Sequence, residues 1–243
     1  MIKIGCCGFP VRRAEYYRHF AVVEIQHTFY QPPQVATAQK WRSEVDARLE
    51  FSLKAWQLIT HPASSPTYRR LRTPLPRPER CGFFQPTREV RRAWEITRQI
   101  AQALQAKLVV FQCPGRFVPS QENISNLRKF FEGIQRDALI LAWEPRGRWE
   151  DPLVRRLCVE LDLVHCVDPF HRPTVHGQPA YFRLHGIGGH RYHYTNEDLQ
   201  RLVEWSRAQK EAYCMFNNVS MFEDAQRFAE MIQARSLLGR ARC

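Results

Sequence analysis

The side chains of this sequence that could do chemistry fall at regular places. Glu24, Lys54, Gln112, Glu144, Asp168, the pair Arg183 and His185, and Asn217 each stand at or near the downstream end of a short run of β-branched and aromatic residues. Arg146 follows Glu144 by two residues, and His61 lies in the segment after Lys54. Carboxylates can activate water, move a proton or hold a divalent ion, and cations can neutralise charge developing on a phosphoryl oxygen. Glu24, Lys54, Glu144, Asp168 and His185 are therefore the candidate catalytic residues. His61, Gln112, Arg146, Arg183, Tyr194 and Asn217 are the candidate substrate-binding residues. The two arginines suit a bidentate grip on a tetrahedral anion. Tyr194 is one of several aromatics, with Phe29, Tyr30, Trp56, Trp149 and Tyr192, that follow the apolar runs and would wall a pocket or pack over it.

Each residue also has a plainer reading. Glu24 could pair with Lys54, Arg146 could clamp Glu144 or Asp168, and Gln112 and Asn217 could tie down backbone. His27 reads as a packing or capping residue. The set outweighs its members, because a rim built only for stability needs few groups that are so costly to bury.

The elements that must position these groups are legible in the apolar pattern. The runs Ile2–Cys6, Val22–His27, Phe51–Ala55, Leu108–Cys113, Leu139–Glu144, Val164–Asp168, Tyr181–His185 and Tyr213–Asn217 are nearly continuous in apolar character, as strands buried on both faces are. Helical spacing occupies Gln34–Asp46 and Arg88–Ala106, and Ser120 is placed to cap a helix reaching about Ile134. Asp151 before Pro152 reads as an N-cap, and Thr195 with Asp198 and Ser220 with Glu223 have capping-box spacing. Asp168–Pro179 holds three prolines and a glycine, so a loop rather than a full helix is expected there. Eight strands alternating with helices predict a (β/α)8 TIM barrel, slightly irregular between strands six and seven, in a single domain over 1–243. In such a barrel all the groups named above fall at one mouth, and they are expected to converge on one pocket.

Composition narrows the classes. The chain has 243 residues and a net charge of +12, with 44% hydrophobic residues, which excludes a disordered chain. No apolar run approaches the roughly 18 residues that span a bilayer. Nothing at Met1–Gly8 resembles a signal peptide. Eight cysteines without a C-x-x-C pair read as free, mostly buried thiols. These features predict a cytoplasmic protein with no membrane partner. Pro62–Arg92 carries eight arginines against two glutamates, either a solvated surface in an arginine-rich chain or a phosphate-binding segment. The first turn, Gly5-Cys6-Cys7-Gly8, is not a dinucleotide fingerprint, and no nucleotide cofactor is expected.

Several short motifs in order carry a resemblance over essentially the whole chain. They are Ile4-Gly5 with Gly8, Val23-Glu24-Ile25 with Thr28-Phe29-Tyr30, Phe51-Ser52-Leu53-Lys54-Ala55 with Ile59-Thr60-His61, and Phe111-Gln112 with Pro114 and Phe117. They continue with Glu144, Arg146 and Trp149, Val167-Asp168, Tyr181 with Arg183-Leu184-His185-Gly186, Tyr192 and Tyr194, and Phe216-Asn217-Asn218. On these the chain resembles the YecE-like family of TIM-barrel proteins, known as domain of unknown function 72. It departs from the family pattern at Cys6-Cys7-Gly8-Phe9, in a shorter spacing from Glu144 to Trp149, and at Val219, where an acidic residue often stands. The resemblance implies a barrel similar to those of xylose isomerases and endonuclease IV-type enzymes. It supplies no settled reaction.

The residues themselves favour a hydrolase of phosphodiesters, nuclease-like and acting on nucleic acid. A divalent metal, if one is used, would sit on Glu144, Asp168 and His185. An isomerase or lyase acting on a small anionic metabolite such as a sugar phosphate is the alternative, with Glu24 or Glu144 as base and Lys54 polarising a carbonyl. A non-catalytic nucleic-acid-binding barrel ranks third, since it needs no paired acid and base. The expected partner is nucleic acid or a phosphorylated small molecule.

Overall fold

The computed structural model describes residues 1–240, with side chains to residue 234. Eight parallel strands follow one another in chain order and close into a barrel. β1 (Ile2–Cys7), α1 (Arg13–His19), β2 (Val22–Ile25), α2 (His27–Tyr30) and α3 (Val35–Ser43) come first. β3 (Glu50–Lys54), the short α4 (Gln57–Thr60), two 3-10 turns at Pro66–Arg70 and Pro78–Arg80, and α5 (Arg88–Leu104) follow. Then come β4 (Leu108–Gln112), α6 (Gln121–Gly133), β5 (Ile140–Glu144), α7 (Asp151–Glu160), β6 (Val164–Val167) and β7 (Ala180–Leu184). The described chain ends with α8 (Asn196–Arg207), β8 (Ala212–Phe216) and α9 (Met221–Arg240). No helix lies between β6 and β7, as the prolines predict.

The apolar runs became strands because every residue of β2, β6, β7 and β8 is buried. No helix among the described residues is long and apolar enough to cross a membrane. Helix starts follow local chemistry. Ser120 accepts the Asn123 N–H at 3.1 Å, and Thr195 forms a complete capping box with Asp198. Two boundaries differ from the sequence reading. Glu150, not Asp151, is the residue before α7, with Asp151 and Pro152 already helical. His27 opens α2 rather than closing β2. Ser220 turns its hydroxyl toward His193 Nδ1, at 2.7 Å, a partner close in space but 27 residues away in sequence.

By packing, the chain divides into two compact units. One holds Met1–Glu24, Cys166–Thr174 and the chain from Gln178 on. In it β8 pairs with β1 through Gly5↔Met215 and with β7 through Arg183↔Met215. The other holds Ile25–His165 and Val175–Gly177. Its core is an aromatic cluster in which Phe84, Trp94, Phe111, Phe130 and Phe131 meet in tilted and edge-to-face contacts. Register there sets Lys54 beside Val110 and Gln112 beside Glu144.

Candidate functional site

In the unit Ile25–His165 the polar groups gather where β3, β4 and β5 end. Lys54 is the last residue of β3 and is 5% exposed. Its ammonium lies 3.5 Å from the centre of the Phe29 ring, a cation–π contact that steadies a charge this deep. The Thr28 hydroxyl donates to the Lys54 carbonyl at 2.6 Å and fixes the strand end. Directly downstream, Trp56 Nε1 and Gln57 Oε1 are buried without a hydrogen-bond partner. Such atoms cost about 1–3 kcal/mol each, so their presence after Lys54 marks a place where an incoming polar group would relieve them.

α4 then carries the chain to His61, whose Nδ1 lies 2.8 Å from the Thr60 hydroxyl and whose ring meets Phe29 edge-on at 4.9 Å. Burial, then the charges of Lys54 and Arg146, push its pKa down to about 3, and Glu144 offsets this only in part. The imidazole is therefore neutral, and the local field is net positive. Glu144, at the end of β5, is buried and accepts from Arg146 Nε at 2.8 Å. The Arg146 side chain keeps 41% exposure. It turns back over Glu144 because Gly147 follows at φ +110°, where a β-carbon would stand 2.7 Å from the Gly115 carbonyl oxygen. Gln112 sits on β4 in direct register with Glu144. Trp149 stacks on Phe117 and donates to its carbonyl, closing the loop after β5.

The other unit places its polar residues differently. Arg183 and Glu24 are 1% and 0% exposed and hold each other through Nε to Oε2 at 3.1 Å and Nη2 to Oε1 at 2.9 Å. The Tyr181 hydroxyl adds a third bond to Oε2 at 2.9 Å. In this structure the Arg183 Nε and Nη2 are engaged by the buried Glu24 carboxylate. The role of Tyr181 was missed, although it stands two residues from Arg183 on one strand and so shares its face.

Asp168 accepts the backbone N–H groups of Phe170 at 3.1 Å and His185 at 2.8 Å. His185 Nδ1 lies 2.8 Å from the Arg183 carbonyl, which can only accept, so the proton is on Nδ1 and Nε2 is the basic nitrogen. Tyr194 is 1% exposed, and its oxygen accepts the Gly186 N–H at 2.8 Å. Burial first, then the Asp168 charge, raises its pKa well above the usual phenol range. Tyr194 clamps the loop after β7 through its bond to the Gly186 N–H. Asn217 enters through its backbone, donating to Leu184 and accepting from His190 Nδ1. The neighbouring Asn218 is buried on Asp224 and the Tyr192 carbonyl.

Among the described residues no group of three or more His, Cys, Asp or Glu is placed to hold a metal ion. Arg146 occupies Glu144, and backbone N–H groups occupy both oxygens of Asp168. Seven cysteines are free and buried, and Cys243 lies outside the described residues.

A family model described as "Protein of unknown function DUF72" matches residues 10–241. A solved DUF72 family protein from Enterococcus faecalis is similar with a TM-score of 0.74 at 21% identity, covering 96% of this chain and 98% of the other. A D-tagatose 3-epimerase-like protein is similar with a TM-score of 0.58 at 14% identity, covering 99% of both chains. Endonuclease IV from Thermus thermophilus is similar with a TM-score of 0.57 at 13% identity, covering 96% of this chain and 98% of that one. At these identities the likeness is one of fold. No curated protein matches.

Proposed function

The chain belongs to the DUF72 family, and from that premise we propose that it is a phosphodiester hydrolase whose phosphoryl-holding group is built at the ends of β3 and β5. The observation that carries this reading is geometric: Lys54, 5% exposed at the end of β3, and Arg146, held on Glu144 at 2.8 Å after β5 and 41% exposed, are two cations beside one carboxylate at the strand ends. Two cations with one carboxylate suit an anion whose charge grows in the transition state. The orphaned Trp56 Nε1 supports it as a further donor toward such a ligand.

In this reading Lys54 and Arg146 bind the non-bridging phosphoryl oxygens, and neutral His61 donates or accepts a hydrogen bond without competing for charge. Glu144 takes a proton from water as the water oxygen bonds to phosphorus. The ester P–O bond breaks, and the leaving oxygen takes a proton from the Lys54 ammonium. No step requires a resident metal.

The test is phosphate binding by calorimetry together with hydrolysis of bis(4-nitrophenyl) phosphate. Arg146→Ala should weaken phosphate binding more than tenfold, as removing a charge-assisted hydrogen bond worth about 1.5–3 kcal/mol does. Glu144→Gln should keep phosphate binding and lose turnover. Wild-type phosphate affinity in both Arg146→Ala and Lys54→Met would end the reading.

A second reading, an isomerase or lyase acting on a small anionic metabolite, draws on the same groups. What favours it is neutral His61 beside Lys54, two N–H donors that could polarise a carbonyl while Glu144 takes the adjacent proton. Deuterium uptake from solvent into a sugar phosphate, with no diester cleavage, would decide for it.

A further inference from the structure

The segment between α4 and α5 carries a surplus of arginine that the rest of the chain does not match with carboxylates. Arg69, Arg70, Arg72, Arg77, Arg88, Arg91 and Arg92 are all exposed. Of the eight arginines in the segment, only Arg80 makes a salt bridge among the described residues, with Glu89 at 3.1 Å. Elsewhere Arg98, Arg128, Arg183 and Arg227 each hold a carboxylate at 3.1 Å or less. Other exposed arginines, such as Arg155, Arg156 and Arg207, are scattered along the chain, whereas seven stand between Arg69 and Arg92.

Two further features point the same way. Arg88, Arg91 and Arg92 stand in the first turns of α5, a helix of 17 residues, with Glu89 the lone acid of its first turn. The helix dipole is positive at that end, so cations there are unfavourable unless an anion joins them. The segment is also fastened down. Gly82 donates to Leu58, Phe84 donates to Ile59, and the Tyr68 hydroxyl donates to the His61 carbonyl at 2.8 Å. Gly82 fits at φ +88° where a β-carbon would stand 2.4 Å from the His61 carbonyl. Arg69, Arg70, Arg72 and Arg77 are thereby presented from a segment tied directly to His61. Arg70 is already seated over the Tyr30 ring at 4.5 Å, which fixes its guanidinium.

We infer that this arginine face, Arg69 to Arg92, is a docking surface for a nucleic-acid strand, gripped through its phosphates rather than its bases. The inference deepens the phosphodiester reading and rests on it for the identity of the anion. Seven exposed guanidiniums, four on the braced segment and three on the first turns of α5, give sequence-independent, salt-dependent binding beside the group that would act on the backbone.

The experiment measures anisotropy of labelled 20-nucleotide DNA and RNA strands against salt, in the Glu144→Gln protein so that no strand is cut. Arg69→Ala/Arg72→Ala/Arg77→Ala is compared with Arg155→Ala/Arg156→Ala/Arg207→Ala, which removes the same charge from other exposed positions. The first triple variant should lose more than tenfold in affinity. Its slope of log affinity on log salt should be shallower by about 2, near 0.7 for each phosphate of a single strand that is no longer held. The second should stay within about twofold. Equal losses in the two variants would mean that net charge alone acts, and would overturn the inference, as would tighter binding to phosphatidylserine vesicles than to strands. Strand binding that persists in Glu144→Gln while the wild-type protein fails to hydrolyse bis(4-nitrophenyl) phosphate would sink the hydrolase reading and leave the docking surface standing.

Discussion

Arg183 and Glu24 are buried at 1% and 0% exposure, and such a pair is costly to break by halves. Arg183→Met strands the Glu24 carboxylate with the Tyr181 hydroxyl and is expected to destabilise the fold by about 3–5 kcal/mol. Glu24→Gln/Arg183→Met should recover much of that loss, because no unpaired charge is left. Urea melts of both single variants and the double variant measure it, and strictly additive losses would show that the pair does not act as a unit. His61 makes a pH prediction. Its pKa is about 3 in the fold against 6.5 for an ordinary histidine, so between those values the unfolded chain binds the extra proton. Its contribution to stability is complete above 6.5 and is lost as pH falls toward 3. His61→Gln should flatten the acid side of the stability curve across that window. An unchanged curve would mean that His61 charges freely in the native protein.

At the scale of elements, the loop after β5 decides whether Arg146 reaches Glu144. Gly147 takes φ +110°, and a β-carbon there would meet the Gly115 carbonyl oxygen at 2.7 Å. Gly147→Ala is expected to cost about 1–3 kcal/mol and to pull Arg146 away from its carboxylate. Phosphate affinity should fall alongside stability, whereas Thr195→Ala, which breaks the capping box of α8 at a cost of about 1 kcal/mol, should leave phosphate affinity unchanged. Calorimetry on both variants separates the two outcomes. The same loop logic explains Tyr194: a phenol that holds the Gly186 N–H organises the segment after β7 and has no remaining role at the surface.

For the molecule as a whole, the seven described cysteines are buried, and none forms a disulfide among the described residues. Burial raises the thiols of Cys7 and Cys113 well above the ordinary range and brings Cys158 up to about 12. A buried thiol with a raised pKa is a poor nucleophile. A Cys243→Ser variant, which leaves only these seven, should therefore give almost no reaction with a disulfide reagent until the protein is unfolded, and then should react at all seven. Rapid labelling of the native variant would show that one of these thiols is accessible.

The strands, the helix that α8 begins with Thr195 and Asp198, and the missing helix between β6 and β7 could be read from the sequence because their causes are local. Apolar runs, a capping hydroxyl and three prolines act within a few residues of themselves. Boundaries slipped by a residue or two where neighbours compete, as at Glu150 and His27. The positions of the charged residues at strand ends were legible for the same reason. Their partners were not. Arg183 meets Glu24 across 159 residues, the neutrality of His61 depends first on burial and then on Lys54 and Arg146, and one oxygen of Asp168 takes the His185 N–H, a neighbour only once β7 is laid beside β6. A sequence determines which charges a strand end carries. Only the tertiary structure decides which of them neutralise one another and which are left facing a ligand, because Coulombic and hydrogen-bond partners are chosen by distance in space, to which separation along the chain is no guide.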